Sequence, residues 1–183
     1  MAEGVRQGRL LSHFVSDSVK EVVRSKNREI AAKEGEALFV TALFCGLADF
    51  KSTIKKEKPE KLISEINQYL SGMAKVIRGN GGRIDKFIGE KILAVFDPRD
   101  FESREASVAA CVRAAASMRE SFGKCLLGTG HSIGIGIASG EVLMGILGPP
   151  KVRLEFTVIG DTVNLASRLC DVAMKESGGK IVM

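Results

Sequence analysis

The segment RLEFTVIGDTVNLASRL, residues 153–169, carries the strand-to-helix junction on which the fold assignment rests. Its first part, 153–160, is rich in aromatic and β-branched residues and is predicted to form a strand. Asp161 stands at the position of a helix N-cap, and the apolar periodicity after it predicts a helix that ends at Gly178 and Gly179. Such a junction brings polar helix side chains next to the end of a strand.

Two polar side chains of this predicted helix, Asn164 and Arg168, are four residues apart and therefore share one helix face. An amide beside a guanidinium suits a ribose oxygen and a phosphate oxygen. A solvated polar pair accounts for the spacing equally well, so the pattern alone does not decide between a binding site and ordinary surface.

The segments before this junction alternate between strand and helix patterns. We predict a strand at 37–45, a helix that begins at Pro59 and stops at 79–82, and a hairpin at 83–96 that turns at 89–90. The strand at 37–45 is apolar on both faces, which is typical of the centre of a sheet.

Downstream, a second helix is predicted from about 102 to 122, followed by two strands at 131–147 with a turn at Ser139 and Gly140. A last strand is predicted to begin at Lys180. The order starts β-α-β-β, which is typical of the split βαβ arrangement of ferredoxin-like sheets. The chain is therefore predicted to be an α+β domain with helices covering one face of the sheet.

The predicted hairpin carries charged residues near its turn. Asp85 and Lys86 are expected on opposite faces of its first strand, because successive strand side chains alternate. Glu90 projects from the turn itself. A charged, solvated hairpin is the simplest interpretation of this pattern taken alone.

Composition argues against several classes of protein. The 183 residues carry a net charge of +5 and are 45% hydrophobic, which is enough for one domain with a sizeable core. With no Trp and one Tyr, an aromatic platform for nucleic acid is not expected, and the basic run at 51–61 is interpreted as a solvated loop rather than a polyanion site. No apolar stretch reaches the length of a membrane span and 1–9 is not a signal peptide, so a cytoplasmic chain is expected.

The cysteine and histidine residues do not predict a metal site. The four cysteines show neither CxxC spacing nor pairing with the two histidines, so they are expected to be reduced core residues.

Three segments together resemble the class III nucleotidyl cyclase catalytic domain, the adenylyl and guanylyl cyclase family. The strongest match is 153–169, followed by HSIGIGIASGEVLMGILG at 131–148 and GNGGRIDKFIGEKILAVF at 79–96. The resemblance runs from about Ala37 to Met183 in the family order. It implies the class III nucleotidyl cyclase fold, without the C-terminal hairpin that normally completes the family domain.

The resemblance also implies a division of the chain. Residues 1–35 would form an N-terminal helical linker or signalling segment, and 36–183 the cyclase homology domain. Helices in that position commonly couple an upstream sensor to the catalytic dimer, although the apolar periodicity at 5–30 fits a simple packing helix equally well.

The family cyclises a nucleoside triphosphate by in-line attack of the 3′-hydroxyl on the α-phosphorus, with release of pyrophosphate. Two Mg²⁺ or Mn²⁺ ions activate the attacking oxygen and neutralise the triphosphate. The site forms between two domains arranged head to tail. One domain supplies metal ligands and a phosphate loop, and the other supplies base recognition and the transition-state asparagine and arginine.

The base-reading half of that site is intact by resemblance. Lys86 matches the lysine that reads adenine and Thr157 matches its partner, whereas guanylyl cyclases usually have Glu and Cys at these places. The pair therefore favours ATP. Asn164 matches the asparagine that orients the ribose, and Arg168 matches the arginine that stabilises charge on the α-phosphate.

The metal half departs from the family pattern, which is close to F-x-D-I-x-G-F-T after the first strand. This chain reads FCGLADFK at 44–51, so Gly46 replaces the first metal aspartate, Asp49 replaces the loop glycine and Lys51 replaces the threonine. Leu47 and Phe50 belong to the same degenerate phosphate loop.

The second metal aspartate of the family falls on Glu90. Glutamate can bind Mg²⁺, but its extra methylene moves the oxygens by roughly 1 Å in a site that needs near-ideal geometry. Binding of Mg²⁺ or Mn²⁺ is therefore expected from the family and weakened in this chain.

These departures leave three hypotheses about activity. The chain could form a head-to-tail homodimer that makes cyclic AMP weakly, or it could be the base-reading half of a heterodimer with a metal-competent cyclase domain. It could also be a catalytically inactive pseudo-cyclase that dimerises or binds nucleotide. The departures cluster on one half-site and spare the other, which is the pattern that a heterodimer requires.

Overall fold

The computed structural model describes residues 35–48, 50, 58–123, 131–148, 155–175 and 180–183. The predicted N-terminal helix, both charged loop residues Asp49 and Lys51, and the glycines that were expected to end the last helix lie outside the described residues. The division of the chain at residue 35 therefore stays a prediction.

Six strands and three α-helices are present within the described ranges. The strands are β1 Glu36–Leu47, β2 Arg83–Ile88, β3 Lys91–Phe96, β4 Ile133–Leu147, β5 Glu155–Ile159 and β6 Ile181–Val182, and the helices are α1 Pro59–Gly79, α2 Arg104–Phe122 and α3 Asp161–Lys175. The predicted hairpin turn at 89–90 is confirmed, with Gly89 at a positive φ of 60°.

The strands form a single sheet in the order β2-β3-β1-β4-β5, and β6 pairs with β4 in parallel. The neighbours along this order are antiparallel. β1 lies at the centre and is separated from β2 by β3, so the β1-α1-β2 unit is the split βαβ arrangement predicted from the sequence.

Local sequence explains where the first two helices begin. Pro59 occupies the first turn of α1, where its missing N–H costs no hydrogen bond. α1 buries Leu62, Tyr69, Met73 and Ile77, which recur at helical spacing. α2 starts slightly later than predicted because the Ser103 hydroxyl accepts a hydrogen bond from the Ala106 N–H and caps the helix.

The helices pack on both faces of the sheet, and the expectation of one covered face is corrected accordingly. α1 and α2 share a core with Leu43, Cys45 and other odd-numbered residues of β1. α3 packs on the opposite face, where its buried residues meet Phe44 and other even-numbered residues of β1. Strand side chains alternate between faces, so one central strand serves both cores.

The predicted pair of strands at 131–147 is also wrong, because β4 continues through Ser139 and Gly140 without turning. Both residues pair with β1, opposite Thr41 and Val40, and the hydroxyls of Thr41 and Ser139 lie 2.9 Å apart. Gly140 is needed for close approach. A Cβ at this position would lie 2.5 Å from Oγ1 of Thr162 in α3.

Candidate nucleotide site

A cavity of about 620 Å³ opens between the β2–β3 hairpin, β5 and the first turns of α3. Three residues predicted to bind nucleotide, Lys86, Thr157 and Asn164, line it together. The remaining wall is largely apolar and is formed by Phe44, Ile88, Lys91, Leu93, Leu147, Gly148, Glu155, Val158, Ile159, Val163 and Ser167. A mostly apolar cavity with few convergent polar groups is typical of a small-molecule site.

Two side-chain contacts connect strands at opposite ends of the sheet order. The Thr157 hydroxyl donates to Oδ2 of Asp85 at 2.8 Å, and Nζ of Lys86 donates to Oε1 of Glu155 at 2.5 Å. The first bond joins β2 to β5, and its partners are 72 positions apart in the sequence. The two edges meet because the sheet curls around the cavity.

A β-bulge in β2 brings Asp85 and Lys86 to the same side of the strand, which corrects the expectation that they lie on opposite faces. The register with β3 shifts between Ile84 and Lys86, so Asp85 is the extra residue. A bulge bends the strand and re-aims its side chains. Asp85 becomes 5% exposed behind Thr157, with its Oδ2 3.8 Å from Nζ of Lys86.

Burial raises the pKa of the Asp85 carboxyl above its ordinary value of 3.8, and the Glu155 carboxylate adds to the rise. The Thr157 hydroxyl and the Lys86 ammonium oppose this by stabilising the ionised form without cancelling the rise. Two carboxyl groups therefore lie near one lysine: Glu155 at the cavity wall and Asp85 behind it.

Of the two α3 residues predicted to belong to the site, Asn164 lines the cavity and Arg168 does not. Asn164 is exposed to the cavity and Ser167 lies beside it. Arg168 lies one helical turn beyond Asn164, is exposed, and is not part of the cavity wall. The shared helix face is therefore observed, but the cavity uses only its N-terminal end.

The end of β1 is filled by side chains of this chain. A Cβ added to Gly46 would lie 2.7 Å from Sδ of Met174 and 3.1 Å from Cγ of Lys91. Lys91 also donates a hydrogen bond to the Asp171 carboxylate, which joins β3 to α3. The Met174 thioether and the Lys91 stem thus fill the space that a side chain at position 46 would need.

The described loop positions Leu47 and Phe50 supply no carboxylate. Leu47 is 2% exposed and Phe50 is partly buried, and both pack into the core shared with α1 and α2. Glu90 stands at the β2–β3 turn and is half-buried. Any phosphate contact from Leu47 or Phe50 would therefore come from the backbone.

The described residues do not fit the two-metal site of the family. Gly46 contributes no ligand, and the space beside it is taken by Met174 and Lys91. Among the residues that the structure describes, no group of three or more His, Cys, Asp or Glu side chains is placed to hold a metal ion. Glu90 alone cannot supply the oxygen ligands that Mg²⁺ requires.

Sequence reasoning did not identify Glu155, Lys91 or Met174. Glu155 could have been found, because it lies two residues before Thr157 and so shares its strand face. The contacts of Lys91 and Met174 with the Gly46 position depend on how α3 seats on the sheet, for which the sequence carries no local signal.

The family profile described as "Adenylate and Guanylate cyclase catalytic domain" matches residues 33–181. The chain therefore belongs to the class III adenylyl and guanylyl cyclase catalytic domain family. This match and the observed α+β architecture confirm the family and the fold predicted from the sequence.

Curated relatives include an adenylate cyclase of Anabaena cylindrica, 33% identical over 170 residues, which span 83% of this chain and 32% of the relative. The terminal-differentiation-specific adenylate cyclase of Dictyostelium discoideum is 31% identical over 164 residues, which span 87% of this chain and 8% of that protein. The chain thus spans a third or less of these relatives.

Solved structures extend the likeness to both base specificities. The adenylyl cyclase CyaB from P. aeruginosa aligns with a TM-score of 0.70 and 28% identity over 76% of this chain and 74% of that chain. The guanylyl cyclase Cya2 aligns with a TM-score of 0.67 and 32% identity over 75% of this chain and 72% of its own. Overall similarity therefore leaves the choice between ATP and GTP to particular residues.

A bacterial light-regulated adenylyl cyclase aligns with a TM-score of 0.83 over 94% of this chain and 50% of its own, and at 21% identity this likeness concerns the fold. None of the helices in the described ranges combines the length and apolarity needed to cross a bilayer.

Proposed function

We propose that this chain is the base-reading half of a nucleotidyl cyclase dimer, that it binds ATP, and that it takes part in forming cyclic AMP and pyrophosphate when a second cyclase domain supplies the metal ligands. Acting alone, it would be a weak cyclase at best, because Gly46 stands where a metal aspartate is needed. Asn164 and Arg168 would then serve the transition state, while Lys86 and Thr157 would bind the base.

The observation that carries this proposal is the contrast within one face of the sheet. The cavity brings Lys86, Thr157 and Asn164 together in an open space large enough for a nucleoside. The end of β1, about where the metal ligands of the family would lie, is filled by Met174 and Lys91 instead.

The chemistry of the cavity suits an adenosine group. Lys86 offers hydrogen-bond donors, and Thr157 offers a hydroxyl beside it. The apolar residues around them can pack against the faces of a purine ring. Asn164 can hydrogen-bond a ribose oxygen on the α3 side of the cavity. Arg168 lies one helical turn further along, where its guanidinium can bind the phosphates that extend out of the cavity.

Exposed apolar side chains at the cavity rim support a dimer. Ile88, Leu147 and Ile159 are each between 42% and 48% exposed and line the cavity, and Leu165 on α3 is 44% exposed. A second domain placed over this rim would cover these residues and close the cavity. This agrees with a site completed by a head-to-tail partner.

The test is a cyclase assay with ATP and Mn²⁺ or Mg²⁺ on the purified chain alone and mixed with a second cyclase domain. The second domain keeps its metal aspartates and lacks its own transition-state Asn and Arg, so it is inactive by itself. Activity in the mixture that disappears with Asn164→Ala or Arg168→Ala supports the proposal. Equal activity without any partner would overturn it.

A pseudo-cyclase is the second candidate, and the packing of Met174 beside Gly46 favours it. In that case ATP binds the chain, or the chain dimerises, and no mixture forms cyclic AMP. Calorimetric titration with ATP separates a nucleotide-binding module from a dimerisation module that binds no nucleotide.

A further inference from the structure

We infer that Asp85, which does not line the cavity, sets a preference for adenine over guanine. Asp85 accepts the hydrogen of the Thr157 hydroxyl, so the Thr157 oxygen is left to accept a hydrogen bond from the base. The inference rests on the proposed function, since it assumes that the cavity binds the base of a nucleotide. Asp85 is a positioning residue in this account, because it acts on the base through Thr157.

The Thr157 hydroxyl has one hydrogen and two candidate acceptors. The Asp85 carboxylate oxygen lies at 2.8 Å, and the backbone oxygen of Val158 lies at 3.4 Å. The shorter bond, to a carboxylate, is the stronger one. The hydrogen is therefore committed to Asp85, and only oxygen lone pairs remain for a ligand in the cavity.

Lys86 completes the pattern because it can only donate. Its ammonium is held between Glu155 at 2.5 Å and Asp85 at 3.8 Å. The ammonium has three N–H donors and makes one hydrogen bond, to Glu155, while Asp85 at 3.8 Å is beyond hydrogen-bond distance, so N–H donors remain for a ligand in the cavity. The wall thus presents a donor from Lys86 next to an acceptor from Thr157.

A donor beside an acceptor matches adenine and mismatches guanine. Adenine has an acceptor at N1 and an amino donor at N6, whereas guanine carries a hydrogen on N1 and an acceptor at O6. A hydroxyl that is free to rotate would serve either base. The Asp85 carboxylate removes that freedom, because it never donates while ionised.

Replacing Asp85 with Asn puts a hydrogen-bond donor behind Thr157 where the wild-type chain has an acceptor. The amide can donate to the Thr157 oxygen, which releases the hydroxyl hydrogen toward the cavity and toward O6 of guanine. The variant Asp85→Asn keeps nearly the same side-chain volume, so the change is one of hydrogen-bond direction.

The experiment measures the dissociation constants of ATP and GTP by calorimetric titration on the wild-type chain, on four variants of the proposed site and on one control variant. Asp85→Asn is expected to reduce the ATP-over-GTP preference by about tenfold, the effect of one hydrogen bond. Thr157→Ser, which retains the hydroxyl, should keep the preference. Thr157→Val should lose it, and adding Asp85→Asn to Thr157→Val should then change nothing further.

Asp97→Asn is the matched control. Asp97 is buried like Asp85, at 1% against 5% exposed, but it belongs to an ion-pair network away from the cavity. It should change thermal stability and leave the ratio of the two affinities unaltered, which separates a positioning role from a merely structural one.

The outcomes are distinguishable. If wild type prefers ATP and Asp85→Asn keeps that preference while Thr157→Val loses it, the inference fails and the proposed function stands. If the wild-type chain binds neither nucleotide, the proposed function fails and the inference falls with it. Should Asp85→Asn not fold, an unchanged preference in Thr157→Val overturns the inference by itself.

Discussion

The two ends of α3 differ in the space between the helix and its neighbours. At the N-terminal end, Asn164 and Ser167 face an open cavity. At the C-terminal end, Met174 lies directly over Gly46 and Gly134, and a Cβ on Gly134 would come within 2.5 Å of the Met174 backbone nitrogen. The helix contacts the sheet at both ends, but only its N-terminal end also borders open space.

Under the proposed function, this difference separates a base-binding half of the site from a metal half in which packing fills the space. A metal aspartate at position 46 would need the space that Met174 and Lys91 occupy. With glycine there, packing fills the region and a Lys91–Asp171 ion pair joins β3 to α3. At the cavity, polar groups are paired with one another but still line open space.

The largest effect is expected from lifting α3 off the sheet altogether. A Cβ on Gly136 would lie 2.2 Å from the backbone oxygen of Ala166 and the backbone nitrogen of Cys170, so Gly136→Val must displace the helix. We expect a loss of about 3 kcal/mol or more in the free energy of unfolding. Urea denaturation measures it.

Gly72→Ala is the control for this substitution. Gly72 lies within α1 and has nothing within 4 Å of an added Cβ, so alanine should stabilise the protein by about 0.5–1 kcal/mol. A Gly136→Val variant as stable as Gly72→Ala would contradict the close approach of α3 to β4 at Gly136.

The next effect concerns the open end. Lys86→Met should weaken ATP binding by roughly 10- to 100-fold, because a hydrogen bond from a charged donor is lost. Lys75→Met is the matched control, since Lys75 is exposed on α1 and lies on the other side of the sheet. Titration calorimetry gives the ATP affinity of both variants. Equal affinities would show that Lys86 does not contact the nucleotide.

A smaller effect is expected at the filled end. Gly46→Asp alone should cost about 1–2 kcal/mol, because its Cβ meets Sδ of Met174, while the pair Gly46→Asp and Met174→Ala should cost less than the sum of the single changes. Urea denaturation of the single and double variants gives this coupling. Strict additivity would show that Met174 does not fill the aspartate position.

The double variant also tests the metal half directly. Adding Glu90→Asp and Asp49→Gly to it restores both metal aspartates and the loop glycine of the family pattern, with space for the first aspartate. We expect a melting temperature that rises with Mn²⁺ in this fourfold variant and not in wild type. No response to Mn²⁺ would mean that the defect lies elsewhere in the loop.

The smallest expected effect is a difference between the two buried aspartates in how each makes the free energy of unfolding depend on pH. Bonds from Arg99, with a further contribution from Arg83, outweigh burial and hold the pKa of Asp97 below 3.8, whereas burial raises that of Asp85. Asp97 therefore stabilises the fold above pH 3.8, and this stability is lost as the pH falls through its lowered pKa. The contribution of Asp85 is present below 3.8 and is lost as the pH rises through its raised pKa.

Unfolding free energies measured by urea denaturation from about pH 3 to pH 7 check both signs. Asp97→Asn should remove part of the loss of stability toward acid, and Asp85→Asn should remove a trend of the opposite sign. The same trend in both variants would contradict the different surroundings of the two carboxyl groups.

Much of the fold was predictable because its signals are local. Pro59 marks the start of α1, Gly89 marks the hairpin turn, and the nearly continuous apolar run at 37–45 marks β1. The turn assigned to Ser139 and Gly140 was wrong because the same residue types also serve close packing. Gly140 makes room for Thr162 of α3, a contact between residues that are distant in sequence.

The sequence by itself determined the family and the residue types at both halves of the site, since these depend on motifs read along the chain. Only the tertiary structure decided that Asp85 stands behind Thr157 and that Met174 fills the place beside Gly46. The first contact requires a bulge and a curled sheet that brings opposite edges together, and the second requires glycines that let α3 settle on β1 and β4. Both depend on how distant segments pack, for which no local pattern exists.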